Sequence, residues 1–120
     1  MINLLEETIH KIKDIGLKTS QIKEYYMNIT PPDVDNQYDP DRTVTIHGIG
    51  EEGLLNDPNF NLDYEEELEY QIVDGWISFE DGSWLQRDSE YQDEDDRRED
   101  NTIYEYWAYN RCPKLIDYIR

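Results

Sequence analysis

Positive charge is scarce in this chain. Its 120 residues hold 11 Lys and Arg against 29 Asp and Glu, for a formal net charge of -18. Such a field repels nucleic acid and anionic lipid and draws in basic surfaces or cations, so no direct nucleic-acid or membrane binding is expected. Cysteine is nearly absent as well. Cys112 stands alone, which excludes an internal disulfide, gives no sign of an oxidising compartment, and reads as an inert thiol. No apolar run approaches the roughly 18 residues of a membrane span. The N-terminus also lacks the apolar core and small-residue cleavage site of a signal peptide, so the expected location is the cytoplasm. His10 and His47 fall in no His-x-x-x-His arrangement, and there is no Cys-x-x-Cys or glycine-rich phosphate loop. Carboxylates for glycoside hydrolysis are abundant, but abundance is not geometry. The expectation is a non-enzyme with no cofactor and no metal.

What is present is negative charge, and it is concentrated. Residues 1–32 carry four acidic and four basic side chains, residues 33–110 carry 24 against 4 for a net of -20, and residues 111–120 net +2. A mean hydropathy of -0.95 with 33% charged residues leans toward disorder. Ten Tyr, three Trp and two Phe argue for a folded domain instead. At this length one domain, residues 1–120, is expected.

Ile2, Leu5, Ile9 and Ile12 share a helical face that Leu4 and Ile15 widen, and Asn3 with Glu6 resembles a capping box. Glu6 and Glu7 suit the positive helix start, and Gly16 supplies a stop, so a helix over residues 3–15 is predicted. Thr19 or Ser20 caps one further turn, and residues 24–29 can pair as a strand. Residues 30–42, with three prolines and four aspartates, read as loop, and residues 43–49 alternate as a short strand. Gly48, Gly50, Gly53 and Asp57-Pro58 mark a further irregular connection, and residues 63–69 are ambiguous between helical turn and strand. Asp74-Gly75 and Asp81-Gly82 both match the type I′ hairpin dipeptide, separating strands 67–73, 76–80 and 83–87. A further aromatic strand spans 102–109, after which Pro113 stops the sheet. The predicted fold is α+β: an N-terminal amphipathic helix packed on a three- to five-stranded antiparallel sheet, with long acidic loops.

The run Trp76-Ile-Ser-Phe-Glu-Asp-Gly-Ser-Trp-Leu-Gln-Arg87, followed by Glu90-Tyr91 and Glu105-Tyr-Trp107, forms a DG-S-W-L-x-R-x-E-Y hairpin pattern. Together with Leu4–Glu7 and Gly16–Thr19, it resembles a group of small, largely uncharacterised bacteriophage-encoded proteins over about half the chain. The resemblance implies phage origin more than an activity. Residues 92–101 form an acidic loop that those proteins replace with a short turn, so its role is additional to the shared scaffold.

Alternate residues on a strand lie about 6.5–7 Å apart, close to the spacing of successive phosphates along one nucleic-acid strand. Asp63, Glu65, Glu67 and Glu69 form one candidate row for a basic partner. Asp93, Glu94, Asp95, Asp96, Glu99 and Asp100 in the acidic loop form another. Tyr91, Tyr104 and Tyr106 are secondary aromatic contacts. A merely soluble surface needs a net magnitude of only about 2–8, which this chain exceeds. Asp33, Asp35, Gln37, Asp39 and Asp41 alternate like calcium ligands, but Tyr38 replaces the required glycine and Val44 the bidentate glutamate, which argues against a site. Trp76, Trp84, Trp107, Tyr104 and Tyr106 lack the cationic groove of a nucleic-acid stacking platform and read as core and rim, with exposed members available to anchor a protein. These features point to a phage-encoded inhibitor of a host nucleic-acid-handling defence protein, a CRISPR effector or a nuclease, acting as an acidic DNA or RNA mimic, with anti-CRISPR activity foremost. The alternative is an acidic structural or regulatory phage protein that docks a basic partner without competing with nucleic acid.

Overall fold

Asn3 starts the predicted helix. In the computed structural model, which describes residues 2–32, 35, 39–65, 72–87 and 107–110, its side chain accepts the Glu6 N–H at 2.9 Å. Strand β1 (Ile2–Asn3) leads directly into helix α1 (Leu4–Asp14). Gly16, at φ 84°, lets the chain turn away, and the Gly16 and Leu17 N–H groups close on the Lys13 and Ile12 carbonyls, both at 3.0 Å. The buried face of α1 keeps most of the predicted apolar stripe, with Leu4 and Ile12 buried and Ile2, Leu5 and Ile15 packed against the core, but it is rolled away from Ile9. Leu4, Glu7, Thr8, Lys11 and Ile12 are buried, whereas Ile9 is 38% exposed. The helix is rolled toward the groups on the sheet that pair with Glu7 and Thr8, because a buried polar group is costly without a partner.

A 3₁₀ turn, Thr19–Gln21, has the Gln21 side chain accepting the Lys18 N–H at 2.9 Å, and leads into β2 (Ile22–Ile29). A second 3₁₀ turn, Pro40–Arg42, precedes β3 (Val44–Ile49). Residues 50–58, read as irregular from their glycines, contain instead a short helix, α2 (Glu51–Leu55), because Leu54 has a buried site to fill. After it come β4 (Asp63–Tyr64), β5 (Val73–Phe79), β6 (Trp84–Arg87) and β7 (Ala108–Asn110). The fold is α+β, as predicted. The main sheet is antiparallel in the order β3-β2-β5-β6-β7, and β1 pairs with β4 in a separate two-stranded ladder.

Of the two Asp-Gly dipeptides, only the second is a turn. Asp74-Gly75 lies inside β5, so the hairpin expected there does not exist and the strand expected at 76–80 begins at Val73, while residues 67–71 of the other expected strand lie outside the described residues. Gly75 has φ 154°, and a Cβ there would run into the Tyr26 carbonyl and sit 2.7 Å from the Met27 Cα. Glycine is needed at this point for close backbone approach, the other role it has in strands. Asp81-Gly82 does turn the chain, but not as a two-residue type I′ loop. The Gly82 N–H donates to the Phe79 carbonyl and the Phe79 N–H to the Ser83 carbonyl, both at 2.9 Å, which makes the loop one residue longer. Gly82 takes the left-handed position at φ 90°, and Asp81 accepts the Ser83 N–H at 2.9 Å.

The core lies between the helices and one face of the main sheet. Tyr25, Met27 and Ile29 from β2, Ile77 and Phe79 from β5, and Leu85 from β6 meet Leu4, Ile12, Leu54, Phe60 and Trp107, all 0–4% exposed. No helix among the described residues is long and apolar enough to cross a membrane.

Candidate functional site

Two places on this frame hold chemistry, one on each face of the main sheet. On the inner face, Arg87 reaches from β6 under α1. Its guanidinium contacts the Glu7 carboxylate at 3.2 Å and donates to the Tyr64 hydroxyl at 2.9 Å, while Tyr64 donates to Glu7 at 2.7 Å. The guanidinium carbon lies 5.7 Å from the centre of the Tyr64 ring and 5.5 Å from that of Trp107. The Trp107 indole N–H donates to Thr8 Oγ1 at 2.9 Å, and Thr8 in turn donates to the Leu4 carbonyl at 2.8 Å. Burial raises the Tyr64 phenol well above its ordinary value, and the Glu7 charge adds to this while Arg87 opposes it. Burial alone would lower the Arg87 guanidinium, but Glu7 and then Tyr64 outweigh it and hold it above its usual value. Glu7, Tyr64 and Arg87 are 1%, 0% and 3% exposed, so no substrate reaches them. This cluster fastens the helix to the sheet. Sequence reading missed it: Glu7 was assigned to the helix start, and Arg87 was only part of a motif.

The outer face is different. Strand alternation and register line up His47 of β3, Tyr26 of β2 and Trp76 of β5 across three strands, with Gln86 of β6 beyond them. Tyr26 meets the His47 ring edge-on at 5.6 Å and stacks on Trp76 at 6.4 Å. One residue pair along, Glu24, Ser78 and Trp84 form a second row across β2, β5 and β6. His47 Nε2 lies 3.0 Å from the Glu24 carboxylate. Every residue of both rows is half-buried or exposed, and Tyr26 is 40% exposed. A cleft of about 370 Å³ opens here, lined by Lys23, Glu24, Trp76, Ser78, Phe79, Gly82 and Trp84.

Of the acidic rows drawn from the sequence, Asp63 and Glu65 are within the described residues. Asp63 is exposed on β4 and accepts the Asn3 side-chain N–H at 2.9 Å, and Glu65 is half-buried just past that strand. Asp63 pairs with Asn3 in the β1–β4 ladder, which is separate from the main sheet. Glu67, Glu69, Tyr91, Asp93, Glu94, Asp95, Asp96, Glu99, Asp100, Tyr104, Tyr106 and Cys112 lie outside the described residues. In the calcium-like alternation, the Asp39 carboxylate accepts the Asp41 N–H at 3.0 Å and caps the 3₁₀ turn. Trp107 is core, at 1% exposed, whereas Trp76 and Trp84 are half-buried on the outer face. The ridge itself could not be read from the sequence, because it exists only once β2, β3 and β5 are in register. Comparisons with protein-family models, curated proteins and solved structures find no match to the chain.

Proposed function

We propose that this protein is a non-enzymatic, phage-encoded inhibitor that works in the host cytoplasm by occupying the basic nucleic-acid site of a defence protein. Anti-CRISPR activity is the specific form of this reading, because a CRISPR effector holds its heteroduplex in a positively charged channel. The observation that carries it is the placement of charge. The segment 33–110 holds a net of -20, and because its four strands of the main sheet carry only Asp74 and Arg87 among charged side chains, that charge belongs to the residues outside those strands. Charge beyond solubility needs repels itself and weakens the fold, so a cationic partner accounts for it better than solvent does. Association would be electrostatically steered and fast, and aromatic contacts would slow dissociation.

A second reading, an assembly or regulatory module that docks a basic partner without blocking nucleic acid, is favoured by the exposed aromatic ridge. Competition separates the two. With a purified effector, saturating duplex DNA or guide RNA is expected to weaken capture of this protein, and capture unaffected by either would favour docking. In cells, expression of the chain is expected to restore plaque formation on a host protected by a CRISPR or restriction system. Unchanged plaque counts across such systems would overturn the inhibitor reading. Reversing Asp93, Glu94, Asp95 and Asp96 to lysine is expected to abolish capture with the melting temperature unchanged or raised. A lower melting temperature with capture intact would make that cluster structural.

A further inference from the structure

The cleft on the outer face deepens that reading, on which this inference rests, by naming what part of a basic partner it holds. Its shape follows from the register. Ser78 is paired with Trp84 on one side and with Glu24 on the other, and Trp76 stands two residues before it on the same strand. A small side chain therefore forms a floor between two indoles and a carboxylate. Trp76 is braced from behind by Tyr26, stacked at 6.4 Å. Gly82, in the turn at the end of the hairpin, leaves that side open. Lys23 borders the cleft and is exposed, so its flexible ammonium can swing to water.

We infer that this cleft is a receptor for an arginine side chain of the partner. Indole faces attract a cation through their quadrupole, and tryptophan does so best. A planar guanidinium can lie against a ring and still donate from its edge to the Glu24 carboxylate and the Ser78 hydroxyl. A neutral apolar group offers no donor to the Ser78 hydroxyl or to the Glu24 carboxylate beyond the one His47 places 3.0 Å from it, and an anion is opposed by the net charge of -18. Lysine satisfies the charge but not the planar stacking.

The test uses the full chain and blocked tripeptides Gly-Arg-Gly, Gly-Lys-Gly and Gly-citrulline-Gly. The indole N–H resonances of Trp76 and Trp84 are expected to shift with the arginine peptide, less with lysine and least with citrulline. That of Trp107, buried and bonded to Thr8, is an internal control expected to stay put. Trp84→Leu is expected to weaken arginine binding about two- to fivefold, with Trp84→Phe restoring part of the loss. If Trp84→Leu fails to fold, the resonance shifts of the natural chain still decide the matter. Equal binding of arginine and lysine peptides with both outer indoles unmoved would overturn the inference and leave only diffuse charge attraction. A chain that displaces nucleic acid from an effector with the cleft unmoved also overturns it while keeping the inhibitor reading. Arginine-specific shifts without displacement support the cleft and count against that reading.

Discussion

The two faces of the main sheet are built from the same strands and solve opposite problems. Along β2, Tyr25, Met27 and Ile29 face inward and are 4%, 0% and 0% exposed, while Glu24, Tyr26 and Asn28, which alternate with them, face out, Tyr26 at 40%. The inner face even takes in a charge: Arg87 is buried, held by Glu7 and Tyr64. The outer face leaves tryptophans partly in water. A buried ion and an exposed aromatic cluster are each costly in isolation, so each implies a partner. For Arg87 the partner is within the chain. For Trp76 and Trp84, half-buried on the outer face, the arginine inferred above would supply it.

The comparison is broken most severely from the inside. Arg87→Met leaves the Glu7 carboxylate buried without its counter-ion and is expected to cost about 3–5 kcal/mol in urea unfolding. Glu7→Leu combined with Arg87→Met should recover much of that loss, because the pair's own net worth is small. A single-variant loss below about 1 kcal/mol would mean that water reaches the cluster. Gly75→Ala comes next, at about 2–4 kcal/mol, since its Cβ would press on the β2 backbone and its φ suits glycine.

Gly75 also shows how far the sequence alone could be read. Helix α1 was legible because its cap and stop are local: Asn3, Glu6 and Gly16 act within one turn of the residues they serve. The strands expected at residues 24–29 and, from their alternation, 43–49 were legible too. Asp74-Gly75 and Asp81-Gly82 are identical dipeptides, and nothing local says that one makes room for β2 while the other turns the chain. Glu7 and Arg87 were misread for a related reason. Charged residues default to the surface, and the contact that buries these two spans 80 positions. The site fared worse than the fold. Composition announced an acidic protein, but the Tyr26–Trp76 ridge and the Ser78 floor depend on pairing between distant strands.

Titration should act on the inner face. The Tyr64 phenol in the folded chain is held above the unfolded value of about 10, chiefly by burial. Its contribution to stability is therefore complete below about pH 10 and is lost as pH rises from there toward the folded value, because the unfolded chain releases its proton first. The urea midpoint is expected to fall as pH rises above about 10. Tyr64→Phe should flatten that fall while lowering stability at neutral pH, as its hydroxyl serves both Glu7 and Arg87. Some slope should remain, because burial and the charge of Asp57 raise Tyr25 in the same direction. An unchanged slope in Tyr64→Phe would remove Tyr64 as its source.

The smallest effect on folding is expected three residues from Arg87, on the same strand. Trp84 belongs to the outer face, where its indole N–H donates to the Gln86 side chain at 3.4 Å. Trp84→Leu keeps an apolar side chain over Ser78 and leaves no buried polar group unpaired, so stability is expected to change by less than about 1 kcal/mol. Trp76→Leu should cost slightly more, since it also removes the stack on Tyr26. A loss as large as that of Arg87→Met would mean that the outer face is covered by other parts of the same chain and that its aromatics serve the fold. A small loss of stability accompanied by a measurable loss of partner binding would place the energy of Trp84 outside the folded monomer, where an interface residue has it.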